Sequence, residues 1–298
     1  MSWVKQLPAE EFVLSGMTSC VGCGAALSLR MALKVLGGRT ILVIPASCSS
    51  IIQGGYPRTA FKVPVLNVAF ASAPAVASGV AAALRVRGIE DVNVVVWAGD
   101  GATADIGLAS LSGAAYRGEN ILYICYDNEG YMNTGVQDSG ATPLGAKTMT
   151  SPAGKRLFKK NIPLIMMEHR LPYVATANIS YPHDFIEKLK KASTIKGFKY
   201  VHLLTPCPPG WRMPADETVN IGRLAVETGA WVLFEIENGR FHLTGPSINI
   251  LKQGKRRSIN EYLKIQERYR HMTDESIRIL QEGIDELLKR YAELQKTQ

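Results

Sequence analysis

The sequence contains no internal repeat and no low-complexity tract, which excludes a repeat array or a disordered linker. Its opening residues lack a basic segment followed by an apolar stretch and a small-residue cleavage site, so no secretory signal is visible and a cytoplasmic protein is expected. Long charge-free runs are scarce. The longest, 63–84, has the length of a membrane span, but Pro64, Asn67, Ser72, Pro74 and Ser78 interrupt it and alanine dominates the rest. A buried helix with an extended lead-in is expected there, and no membrane partner. Cysteine is also sparse, with five in 298 residues.

What is present is core-forming material: 46% of the residues are hydrophobic, enough for one large domain or two modest ones. The formal charge of +8 allows an anionic substrate, an acidic protein partner or nucleic acid. Lys155, Arg156, Lys159 and Lys160 cluster, as do Lys252, Lys255, Arg256 and Arg257, yet neither group lies in a nucleic-acid-binding motif or among interleaved aromatics. Both read as solvated faces, and no nucleic-acid partner is expected.

Residues 40–46, 92–98, 121–126 and 200–205 are short apolar runs rich in β-branched residues and read as buried strands. Helix-like stretches at 25–36, 75–87, 106–116 and 184–193 alternate with them. This alternation predicts an α/β domain, a doubly wound and mostly parallel sheet. His183, beside Pro182, reads as a helix-start residue rather than a ligand. From 258 to 294 apolar residues recur at helical spacing between dense charges, so a helical extension over 241–298 is expected to follow the main domain, 1–240.

The chemistry begins where run 92–98 meets Gly99-Asp100-Gly101. A strand, a glycine turn and a helix start bring backbone N–H groups close to an anion such as a diphosphate, at the strand end where open α/β sheets bind ligands. The next strand ends in Tyr126-Asp127-Asn128-Glu129-Gly130-Tyr131-Met132-Asn133. Asp100 and Asn128 therefore face one crevice. Magnesium takes octahedral oxygen coordination, and Asp100, the amide oxygen of Asn128, a carbonyl near Gly130, two diphosphate oxygens and a water complete such a shell. Gly-Asp-Gly alone is more often a plain turn; followed by an Asn between apolar strands it is a strong signal. The pattern resembles the thiamine diphosphate motif, whose superfamily uses a second domain to hold the aminopyrimidine and supply an activating glutamate. One such motif and one doubly wound unit are present here, so the pyrimidine half is expected from another chain.

Cys20-Val21-Gly22-Cys23 presents two thiols to one centre, Cys48 follows one strand, and Cys207 follows another within Thr205-Pro206-Cys207-Pro208-Pro209, where the prolines are expected to hold the chain outside regular structure. Cys125 lies inside a strand and reads as a core thiol. Disulfides suit a cytoplasmic chain poorly. Spacing alone leaves zinc and an iron–sulfur cluster level. The thiamine motif tips the balance, because decarboxylation on thiamine leaves electrons that a neighbouring cluster can accept.

Taken together, Thr18-Ser19-Cys20-Val21-Gly22-Cys23-Gly24, Cys48-Ser49-Ser50, Gly99-Asp100-Gly101-Ala102, Tyr126-Asp127-Asn128-Glu129-Gly130-Tyr131-Met132-Asn133 and Thr205-Pro206-Cys207-Pro208 resemble the β subunits of 2-oxoacid:ferredoxin oxidoreductases, nearest to the pyruvate-using members. The resemblance spans about 20–239. It implies that Cys20, Cys23, Cys48 and Cys207 hold one [4Fe–4S] cluster and that Asp100, Asn128 and the carbonyl of Gly130 bind Mg2+. Gly99, Gly101, Ala102, Asn128, Gly130 and Tyr131 would wrap the diphosphate, Asn133 would face the reacting carbon, and Cys48 would lie between cofactor and cluster. The implied activity is coenzyme A-dependent oxidative decarboxylation of pyruvate, with electrons passed to ferredoxin, in a complex with alpha, gamma and delta type subunits. One departure is Phe70-Ala71-Ser72, where related subunits often read Phe-Glu-Asn. The same chemistry on 2-oxoisovalerate, 2-oxoglutarate or oxalate is the nearest alternative. A non-redox enzyme of the acetolactate synthase type, and an electron-transfer module without catalysis, are the others. Iron and sulfide analysis separates the first of these two, and thiamine diphosphate retention the second.

Overall fold

Continuous apolar runs that are buried on both faces favour parallel strands, and six parallel strands, five of them largely buried, form the centre of the chain. The computed structural model describes residues 7–296. Strands β1 (Thr40–Pro45), β2 (Val65–Val68), β3 (Asn93–Gly99), β4 (Leu122–Asp127), β5 (Tyr173–Asn178) and β6 (Lys199–Leu204) are parallel, and β7 (Phe234–Glu237) and β8 (Arg240–Leu243) add an antiparallel edge hairpin. Their order is β2-β1-β3-β4-β6-β5-β7-β8. The direction of winding reverses between β1 and β3, which opens a crevice at the carboxyl ends of the strands.

Alternate residues of β3 feed the two sides of the sheet: Val95 and Trp97 one core, Val94, Val96 and Ala98 the other. Helices Gly24–Leu36 and Pro182–Thr194 cover the first face with Leu29, Leu33, Phe185 and Leu189. Helices Ala73–Val86, Leu108–Tyr116 and Ile162–Glu168 cover the second with Ala77, Leu111 and Met166. The charge-free run 63–84 thus resolves into β2 and a helix. Among the described residues no helix is long and apolar enough to cross a membrane.

Three expectations need correction. The helix expected from 106 starts at Leu108, after a π-helical turn, Ala102–Ile106, that absorbs the residues following the glycine turn. Cys207 itself stays in extended backbone outside regular structure, but Pro208 and Pro209 do not continue that stretch; they open a short helix, Pro208–Trp211, with Cys207 at its N-cap. Proline suits a first helical turn because the N–H it lacks has no intrahelical partner there. Cys48, expected in a loop, begins the short helix Cys48–Ile52.

Beyond β8, Ser247–Gln253, Ile259–Lys264 and Asp274–Lys296 are helical. They close against the sheet rather than standing off it. Tyr291 packs on Phe234 and Phe241 with ring centroids 5.1 and 5.6 Å away. Tyr262, Tyr269, Leu280 and Ile284 share a third apolar cluster with Trp211 and Trp231.

Candidate active site

The carboxyl ends of four adjacent strands, β1, β3, β4 and β6, carry Cys48, Asp100, Asn128 and Cys207 in turn. The strand order therefore gathers residues that lie far apart along the chain. At the end of β3, Asp100 is 1% exposed. Its Oδ1 accepts from the Asn128 backbone N–H at 3.3 Å and its Oδ2 from the Ser139 hydroxyl at 2.5 Å. Burial, and next the Asp127 carboxylate, push the Asp100 carboxyl well above the usual carboxylate range. A bound divalent cation reverses that preference.

The donor set fits such a cation. As placed, the side-chain oxygen of Asn128 lies 2.9 Å from Asp100 Oδ1 and 2.9 Å from the carbonyl oxygen of Gly130; turned over, its amide would donate to both. Three oxygens meeting without a hydrogen between them repel unless a cation sits among them. Magnesium–oxygen bonds of about 2.0–2.1 Å in an octahedron put adjacent ligands about 2.9 Å apart. Gly101 is required by its cover. A Cβ there would lie 2.4 Å from the Tyr131 ring, whose hydroxyl donates to Asp105 Oδ2 at 3.0 Å and to the Gly101 carbonyl at 3.3 Å. Ala102 is buried beside it, and Asn133 stands exposed in the turn closed by the bridge between Tyr131 and Gln137.

Under this loop lies a buried charge network that no local sequence signal marks. Asp127 accepts from Lys159 Nζ at 3.1 Å and pairs with His202 Nε2 at 2.9 Å; Lys159 also reaches Glu129 at 3.1 Å. Burial alone would raise the Asp127 carboxyl, but Lys159 and His202 outweigh it and hold it down at about 2. Lys159→Met should therefore cost about 3 kcal/mol, since it leaves two buried carboxylates short of a cation. A denaturant midpoint within error of wild type would contradict this.

The second group is the cysteines, all free thiols. Cys23 caps helix Gly24–Leu36, its Sγ accepting from the Ala26 N–H at 3.4 Å. The loop before it presses on the segment that carries Cys207. A Cβ at Gly22, where φ is +72°, would meet the Ala215 carbonyl oxygen at 2.3 Å, and the Gly24 N–H donates to the Pro206 carbonyl at 3.3 Å. Burial raises the Cys48 thiol to about 11 and Cys207 to about 12, and neighbouring thiols add to both: Cys23 and Cys20 act on Cys48, and all three act on Cys207. Cys48 also senses Asp100. The structure thus brings Cys20, Cys23, Cys48 and Cys207 within electrostatic reach of one another and places Cys48 on the side of the turn that carries Asp100. Cys125 is fully buried in the other core. Among the described residues no three His, Cys, Asp or Glu side chains close around a single metal ion. A four-iron cluster asks for a wider frame, because each thiolate binds a different iron.

Ser139, Asp105 as the partner of the Tyr131 hydroxyl, and the partners of Glu129 were not identified from sequence; only the fold brings them to the loop.

The C-terminal TPP binding domain of the thiamine pyrophosphate enzyme family matches residues 46–203. Pyruvate synthase subunit PorB of Methanothermobacter marburgensis is 54% identical over 270 residues, spanning 89% of this chain and 92% of that one. Ketoisovalerate oxidoreductase subunit VorB of Pyrococcus abyssi is 50% identical over 274 residues, spanning 89% and 87%. The 2-oxoglutarate:ferredoxin oxidoreductase from Magnetococcus marinus, solved with 2-oxoglutarate, coenzyme A and succinyl-CoA bound, shares the fold at a TM-score of 0.60 and 23% identity, over 93% of this chain and 94% of that one. Identity above one half across nearly nine-tenths of the chain marks common descent: the chain belongs to the β subunits of the 2-oxoacid:ferredoxin oxidoreductases, hetero-oligomeric enzymes in which it carries the thiamine pyrophosphate-binding domain.

Proposed function

We propose that this subunit works in the cytoplasm in the oxidative decarboxylation of pyruvate: pyruvate, coenzyme A and two oxidised ferredoxins give acetyl-CoA, carbon dioxide, two reduced ferredoxins and one proton, and the reaction also runs in reverse. The observation that supports this reading is that Cys48, Asp100, Asn128 and Cys207 follow four adjacent strands, with the loop that carries Cys20 and Cys23 packed on the Cys207 segment. Asp100, Asn128 and the Gly130 carbonyl would hold Mg2+, and through it the diphosphate. Gly99, Gly101, Ala102 and Tyr131 would line the diphosphate, and Asn133, on its exposed turn, would face the substrate. Cys20, Cys23, Cys48 and Cys207 would hold a [4Fe–4S] cluster. Thiamine diphosphate supplies the electron sink for decarboxylation and the cluster carries electrons onward one at a time. The protein's part is to fix the distance between the two and to keep water from the cofactor side, and the burial of Asp100 and Trp211 serves that end.

Main domain 1–240 would hold the cofactors, and the extension 241–298 would add contacts to the other subunits. No glutamate of this chain stands in a pyrimidine-activating context, so the purified chain alone should turn over no pyruvate, whereas the assembled enzyme should reduce ferredoxin. Turnover by the chain alone, read as acetyl-CoA formed, contradicts the shared site. The similarity to VorB favours one second reading, 2-oxoisovalerate as substrate. Ferredoxin reduction by the assembled enzyme with pyruvate, 2-oxoisovalerate, 2-oxoglutarate and oxalate decides it, and condensation of two 2-oxo acids without ferredoxin reduction would mean an acetolactate-type enzyme instead.

A further inference from the structure

Glu129 stands between two residues of the oxygen cage, Asn128 and Gly130, and is in the left-handed region with φ at +67°. A side chain rarely adopts that conformation unless its surroundings hold it there. Here they do so from several sides. The Glu129 N–H donates to Asp127 Oδ1 at 2.9 Å, and its carbonyl accepts from the Thr142 hydroxyl at 2.8 Å. Its carboxylate takes Lys159 on one oxygen and Arg268 Nη2 on the other, at 3.1 and 2.5 Å.

Arg268 comes from the C-terminal extension, 139 residues away in sequence, and its side chain is 2% exposed. Gln266 Oε1 accepts from its Nε at 2.9 Å, and its guanidinium lies 4.1 Å from the ring centre of Trp211. Trp211 donates its indole N–H to the carbonyl of Asn128 at 2.8 Å. One guanidinium therefore reaches the loop by two routes, by charge through Glu129 and by stacking through Trp211.

We propose that Arg268 is a positioning residue for the metal-binding loop, so that the C-terminal extension sets how tightly Asn128 and Gly130 hold the cation. This rests on the magnesium site proposed above. Lysine in its place keeps a charge but loses the planar stack and the forked donors, so it restores only part of the effect.

The test uses the assembled enzyme, with thiamine diphosphate binding followed by equilibrium dialysis at graded magnesium and iron content as a control. Arg268→Gln should raise the magnesium needed for half-occupancy by about tenfold, the range for partners that orient metal ligands. Arg268→Lys should raise it less, and iron content should not change. If Arg268→Gln fails to fold because Glu129 is left buried and charged, the Glu129→Gln/Arg268→Gln pair removes that burden and should still show the shift. Wild-type magnesium dependence in Arg268→Lys together with either Gln variant overturns the proposal, even if thermal stability falls. A wild-type enzyme that binds thiamine diphosphate without magnesium would instead overturn the site on which the proposal rests.

Discussion

Asp100→Ala is expected to remove magnesium and thiamine diphosphate together, lowering their apparent affinity by more than about 100-fold. That exceeds the usual effect of losing a residue that only orients a metal ligand. The cause would be geometric: on the reading proposed above the cation would hold the cofactor to the protein, and Asp100 is the only anionic member of the three converging oxygens. Asn128→Ala removes a neutral ligand and should cost less, about tenfold. The cofactor-free chain should not be weakened by Asp100→Ala, because its buried carboxyl is costly to ionise and has no cation beside it, only the Ser139 hydroxyl, a backbone N–H and the Asn128 side chain. Ligand binding and stability should thus move independently, which dialysis and denaturant unfolding on the same sample would show. Unchanged cofactor occupancy would reduce the glycine turn to architecture.

The chain, made anaerobically, is expected to be brown and to carry about four irons, and replacing Cys20, Cys23, Cys48 or Cys207 by serine should strip them. Cys23→Ser is the most informative of the four. Serine is a favoured N-cap, so helix Gly24–Leu36 keeps its start while the soft ligand is lost. Cys125→Ser should leave the iron in place and cost about 1 kcal/mol, as a hydroxyl replaces a thiol in a closed core. Iron and sulfide analysis with absorbance reads all five. A colourless wild-type chain containing zinc would overturn the redox assignment, and so would full iron content after Cys207→Ser.

Strands β1, β3, β4 and β6 were legible in the sequence because each is a continuous apolar run that a buried parallel strand requires. Strand β5 was not, since Thr176, Ala177 and Asn178 dilute the pattern at its end, and β2 was legible only as an extended lead-in to a helix, since its four residues at the sheet edge are at most half-buried. The hairpin of β7 and β8 was not legible either, since Glu235 and Glu237 break the apolar run of β7 at every second residue.

What the sequence determined by itself was the chemistry on offer: an acidic residue and an amide at two strand ends, a Cys-x-x-Cys loop, and two single cysteines that also follow strands. These are local facts, because a motif's residue types and its place after a strand are written in the chain's own order. Only the tertiary structure decided that the strands bearing them are neighbours, that Ser139 closes on Asp100, and that Arg268 reaches Glu129 across 139 residues. Contacts of that kind depend on which surfaces pack together. Packing is a property of the whole folded sheet and its extension, and short-range patterns in the chain do not encode it.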